Sequence, residues 1–123
     1  MTVQIDLRDA AGPTGSSGWA DVCSLDDLAP DRGACVLVGD LQVAVFLMAT
    51  GELYALGNRD PFSGANVMSR GIVGSKGDVP KVASPMYKQT FDLRTGRSLD
   101  DPSVALPTYR ARVRGGRVEI ATR

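Results

Sequence analysis

From residue 34 onward no strand-like run lasts more than about eight residues before turn-forming residues interrupt it, and that spacing excludes long helices. Residues 34–38 break at Gly39-Asp40, residues 41–48 at Ala49-Thr50-Gly51, and residues 52–56 follow, the pattern of a three-strand meander. Residues 108–114 and 117–121 flank Gly115-Gly116, whose two glycines supply the positive φ values of a tight hairpin turn. Alternation within that hairpin puts Tyr109, Ala111 and Val113 on one face and Arg110, Arg112 and Arg114 on the other. Upstream, residues 19–23 alternate as a strand, and Ser24 caps one helical turn that stops at Pro30. A short strand over residues 81–83 leads into Ser84, and residues 90–93 precede a turn at Arg94-Thr95-Gly96. The glycine-rich passage at 71–78 reads as turns. The chain is therefore expected to be all-β.

At 123 residues it has the size of one ordinary domain. Residues 1–18, with their Gly-Pro-Thr-Gly-Ser-Ser-Gly tract, are expected to form a flexible N-terminal arm, and residues 19–123 the folded domain. The longest apolar run, residues 43–49, is too short to cross a bilayer, and no secretory leader is read at the N-terminus. A soluble, cytoplasmic protein with no membrane contact is the expectation. Cys23 and Cys35 lie outside any metal-ligand spacing and read as buried core thiols. The formal charge is zero, but residues 1–60 carry three Arg against nine acids and residues 86–123 eight Lys/Arg against four. With a pI near 6.2 there is no basic footprint for nucleic acid.

Three stretches are more specific: Asn58-Arg59-Asp60-Pro61-Phe62-Ser63, Ser69-Arg70-Gly71-Ile72-Val73-Gly74, and the tract from Ala83-Ser84-Pro85-Met86-Tyr87-Lys88-Gln89 through Phe91-Asp92-Leu93-Arg94-Thr95-Gly96. Their frame resembles the two cluster-binding loops of a Rieske domain, which read Cys-Pro-His and Cys-Pro-x-His and hold a [2Fe-2S] centre through two thiolates and two imidazoles. Here the frames read Asp60-Pro61-Phe62 and Ser84-Pro85-Met86-Tyr87, and the chain contains no histidine. The Rieske resemblance spans roughly residues 19–120, and within it the wording of these three stretches is similar to that of one branch, the small subunits of assimilatory NAD(P)H-dependent nitrite reductases.

That resemblance implies a Rieske-like antiparallel β-sandwich of two packed sheets without a [2Fe-2S] cluster. It also implies a partner, the nitrite reductase large subunit, which carries FAD, an iron-sulfur cluster and sirohaem and reduces nitrite to ammonium in nitrate assimilation. The chain itself would be a non-catalytic subunit with no cofactor and no metal ligands of its own. Asp60, Phe62, Ser84 and Tyr87 would occupy the degenerate cluster positions, and Pro61, Pro85, Met86, Lys88 and Gln89 would be the residues that dock the partner.

Read from side-chain chemistry, Phe62 and Tyr87 are expected to touch where imidazoles met iron, Asp60 and Ser84 to hydrogen-bond nearby backbone amides, and Pro61 and Pro85 to stiffen the turns. Independent catalysis by Ser84 with Tyr87 or Lys88 lacks a histidine base and a strand-turn-helix setting. Asp60, Asp78, Asp100 and Asp101 read as solvated loop carboxylates rather than metal ligands. The Arg110, Arg112 and Arg114 stripe reads as a solvated strand face, with contact to an acidic partner as its other reading. A cluster-free Rieske-like interaction module of another oxidoreductase or oxygenase is the alternative function, and a degenerate ferredoxin the weakest one.

Overall fold

The computed structural model describes residues 4–6 and 18–121, with side chains over 18–121. The expected arm, residues 1–18, lies outside the described residues except for Gln4–Asp6 and Gly18. Ten strands are described: β1 (Gln4–Asp6), β2 (Trp19–Ser24), β3 (Arg32–Val38), β4 (Leu41–Leu47), β5 (Leu53–Gly57), β6 (Ile72–Lys76), β7 (Val79–Ala83), β8 (Thr90–Asp92), β9 (Thr108–Arg114) and β10 (Arg117–Ala121). They form a seven-stranded sheet in the order β1-β3-β4-β5-β9-β10-β2 and a three-stranded sheet in the order β6-β7-β8. Every pairing is antiparallel except β1 with β3.

Local sequence explains the connections. Ser24 Oγ accepts from Asp26 N at 3.3 Å while Asp27 Oδ2 accepts from Ser24 N at 3.0 Å, a reciprocal cap on the 3-10 turn Leu25–Asp27. Gly115 and Gly116 both take positive φ, 58° and 77°, so β9 and β10 pair in register from Arg114 opposite Arg117.

The β4 strand is buried on both faces. Val43 and Val45 enter one cluster with Val22, Val36, Ala55, Val118 and Ile120, where the two halves of the large sheet close over each other. Ala44 and Phe46 enter a second cluster with Leu56, Met68, Val82, Phe91 and Leu93, beneath the three-stranded sheet. An uninterrupted apolar run, rather than alternation, is what a strand covered on both sides requires. Cys23 and Cys35 are free and buried, and burial pushes the Cys23 thiol up to about 11, reinforced by the nearby Asp27 carboxylate.

One expectation fails. Residues 71–78 are not all turn: residues 72–76 form β6, and only Gly77-Asp78 makes the tight turn into β7. The strand was hidden because Gly74 and Ser75 supply no apolar alternation.

Candidate functional site

The two loops of interest leave β5 and β7 and meet at one end of the small sheet. Asn58, just after β5, fastens the first loop at both ends. Its Nδ2 donates to Gln42 Oε1 at 2.9 Å and to the Asn66 carbonyl at 3.2 Å, while its Oδ1 accepts from Ser69 N at 2.7 Å. The loop's 3-10 turn, Met68–Arg70, then rests on β3, where a Cβ on Gly33 would lie 2.1 Å from the Ser69 carbonyl oxygen. Only glycine permits that approach.

Within each loop the backbone follows the same path. Asp60 N donates to the Ala65 carbonyl at 2.8 Å and Gly64 N to the Asp60 carbonyl at 2.7 Å; Ser84 N donates to the Gln89 carbonyl at 2.9 Å and Lys88 N to the Ser84 carbonyl at 3.0 Å. The first side chain of each loop spans its proline: Asp60 Oδ1 accepts from Phe62 N at 2.8 Å, and Ser84 Oγ from Met86 N at 3.2 Å. Gly64 and Lys88 hold matching places with φ of 78° and 62°. Residues 92–97 repeat the turn a third time, with Gly96 N donating to the Asp92 carbonyl at 2.7 Å and Asp92 Oδ1 accepting from Arg94 N at 2.8 Å.

A side-chain hydrogen bond joins the two loops directly: Ser84 Oγ donates to Asp60 Oδ2 at 2.5 Å, with both residues buried. Burial raises the Asp60 carboxyl, but the hydrogen bonds from Ser84, Phe62 and Ser63 outweigh it and hold the group below the ordinary carboxylate value. Asp60 is thus an internal anion rather than a solvated loop carboxylate. Asp100 and Asp101 have turn roles as well, accepting from Thr90 N at 2.7 Å and Ser103 Oγ at 2.6 Å.

The expected contact between Phe62 and Tyr87 does not form. Phe62 packs its ring on Phe91, centroids 5.9 Å apart, because the apolar cluster under the small sheet draws it inward. Tyr87 points out, 62% exposed, beside Met86 at 47% and exposed Pro61, Pro85 and Lys88. Gln89 is partly buried, and its Oε1 has no partner among the described residues. The ionised side chains on the outside of both loops are Arg59, Arg70 and Lys88, all cationic, since the one acid is buried. Asn58 was not singled out from sequence as a functional residue; the signal available was a polar side chain directly after a buried apolar strand.

The arginine stripe is not a free solvated face. Arg112 stacks over the Trp19 ring at 4.0 Å and pairs with Glu119 at 2.6 Å, while Arg110 lies 5.1 Å from the same ring. Arg117 on β10 grips Asp21 through two nitrogens.

Comparison with known proteins supplies the context. The family model for the Rieske-like [2Fe-2S] domain matches residues 18–121. The NADH nitrite reductase small subunit of Escherichia coli K12 is 39% identical over 105 residues, 85% of this chain and 97% of that protein. The NAD(P)H nitrite reductase large subunit of Klebsiella oxytoca is 38% identical over 105 residues, again 85% of this chain but 11% of its own length. Among solved structures, one described as an NADH-dependent nitrite reductase small subunit from Mycobacterium tuberculosis superposes with a TM-score of 0.82 at 50% identity, covering 85% of this chain and 95% of that one.

Proposed function

The chain belongs to the Rieske-like [2Fe-2S] domain family, and we propose that it is the accessory small subunit of a cytoplasmic NAD(P)H-dependent nitrite reductase, docking a large subunit that reduces nitrite to ammonium in nitrate assimilation. One observation carries the reading: in Klebsiella oxytoca a stretch similar to nearly this whole chain sits inside a nitrite reductase large subunit. A domain found within a nitrite reductase large subunit in one organism and as a separate small subunit in others is a domain that works against that large subunit. No helix among the described residues is long and apolar enough to cross a membrane.

The family's iron-sulfur cluster does not fit the donor set of this chain. Its four frame positions offer a carboxylate, a phenyl ring, a hydroxyl and a phenol in place of thiolates and imidazoles. The carboxylate and hydroxyl are bonded to each other at 2.5 Å, the phenyl ring is turned into the core, and the phenol faces outward. In this reading the chain carries no cofactor and no catalytic residue, and FAD, iron-sulfur cluster and sirohaem belong to the large subunit. What the chain supplies is a rigid tip. Met86 and Tyr87 are exposed anchors on a turn closed by backbone hydrogen bonds, flanked by Lys88. A cationic rim around an apolar centre suits an acidic socket on the partner.

The test is nitrite-dependent NAD(P)H oxidation by the purified large subunit with and without the chain, together with a pull-down. Binding with stimulation supports the assignment; an active large subunit that neither binds the chain nor responds to it refutes the assignment. Tyr87→Ala and Lys88→Glu should weaken binding at unchanged fold if the tip is the docking surface.

A further inference from the structure

A second surface lies apart from the exposed Pro85–Lys88 turn, along the unpaired side of β6. Lys76 and Val79 flank the two-residue turn Gly77-Asp78 and form a hydrogen-bonded pair, so alternation makes Gly74 with Lys81 and Ile72 with Ala83 hydrogen-bonded pairs as well. Val73 and Ser75 occupy the other type of site, opposite Val82 and Pro80. Pro80 has no N–H to give β6, and its carbonyl accepts from Leu93 N on the β8 side at 2.9 Å. The N–H and C=O groups of Val73 and Ser75 therefore point away from β7, toward the edge of the sheet.

That edge forms one wall of an open trough. The opposite wall is built by Asp31–Gly33 at the head of β3 and by Met48–Thr50 after β4, and Asp31 and Val73 line it along both halves. At one end stand Arg32 and Arg70, both exposed and neither in an ion pair among the described residues. The single acid of the wall, Asp31, is engaged with Ala49 N at 2.9 Å. Ile72, 75% exposed, stands on the strand itself. Free strand edges are normally blunted by charge, proline or a bulge. The β6 strand has a regular register and a charge only at its last residue, Lys76.

We propose that this edge is completed by one extended acidic segment of the large subunit, which pairs its backbone with Val73 and Ser75 and places a carboxylate between Arg32 and Arg70. The inference rests on the assignment of the chain as that subunit's partner. Strand addition supplies main-chain hydrogen bonds, and the two arginines set direction and register.

The experiment uses the full chain and the purified large subunit. Amide hydrogen exchange over residues 72–76 should slow at least tenfold at Val73 and Ser75 when the large subunit is added. Ser75→Pro removes an outward N–H while leaving the β6–β7 ladder intact, and should weaken binding at least tenfold with an unchanged melting temperature. Arg32→Glu, on the β3 wall and outside the cationic rim of the loop tip, should weaken it at least threefold, and it reads the same surface if Ser75→Pro does not fold. Binding by the wild type with no slowing and no loss in the variants overturns the strand-addition site and leaves the subunit assignment standing. Absence of any binding by the wild type overturns both. Concentration-dependent slowing in the chain alone would instead assign the edge to a second copy and overturn the proposed occupant.

Discussion

Ser84 and Asp60, 24 residues apart in sequence, are joined by a hydrogen bond in which the hydroxyl donates to a buried carboxylate at 2.5 Å. It ties the buried first residues of the two loops to each other. Ser84→Ala removes the donor and leaves one lone pair of a shielded anion unmatched, which should cost about 1–3 kcal/mol. Urea denaturation at neutral pH measures it, and a value near zero would show that the loops are held by their backbone turns alone.

Acid should expose the same anion. The Asp60 carboxyl is held below its ordinary value, so the stability it contributes is fully present above the unfolded-state value of about 3.9 and is lost as pH falls through the lower folded-state value. Asp92 acts in the same sense, its own burial outweighed by the Arg94 guanidinium and backbone N–H. Unfolding free energy measured from pH 6 down to pH 2 should fall less steeply for Asp60→Asn than for the wild type. Parallel slopes would remove Asp60 from the acid response.

Lys88 takes a left-handed backbone conformation with φ of 62°, in the place where the sister loop has Gly64. A side chain there costs roughly 1–2 kcal/mol, of which glycine recovers part after its own entropy loss. Lys88→Gly should therefore raise the urea midpoint modestly while weakening association with the large subunit, whereas Lys88→Ala should weaken association with no gain in stability.

Phe62 and Phe91 share a tilted ring contact but not the same burial. Phe91→Ala empties a fully enclosed site and should cost about 3–5 kcal/mol; Phe62→Ala, half-buried, should cost roughly half as much. Thermal melts of the two variants give the order, and equal losses would place Phe62 deeper in the energetics than its exposure indicates.

The thiols should be silent. Cys23, raised to about 11, and Cys35, raised by burial, are both shielded. At pH 8 a thiol-specific disulfide reagent should modify neither until the chain is unfolded, and then both. Rapid labelling of the native protein would mean that the large-sheet core opens readily.

What could be read from sequence depended on how local the determinant was. The β9–β10 hairpin was legible to the residue, because Gly115-Gly116 fixes its turn and alternation fixes its faces. The meander of β3, β4 and β5 was legible from the turns at residues 39–40 and 49–51 that bound its apolar runs. The β6 strand was not, since glycine and serine there mask its alternation, although the Gly77-Asp78 turn sets its register with β7. The loops were identified from their resemblance to a known frame, and the prediction that Asp60 and Ser84 cap nearby amides matches the bonds to Phe62 and Met86. Their bond to each other, and the choice of Phe91 over Tyr87 as the neighbour of Phe62, depend on how β7 and β8 are placed against β5. No short window of sequence contains that information.

The turn used at residues 60–65, 84–89 and 92–97 is specified by its own backbone closures and by one residue of positive φ at the fifth place. Its first side chain is an aspartate twice and a serine once, so the shape tolerates a change of chemistry at the position that faces the neighbouring loop. Such a fold separates architecture from payload. The residue at the first place can change from carboxylate to hydroxyl and grip its counterpart in the next loop, while the frame around it stays the same.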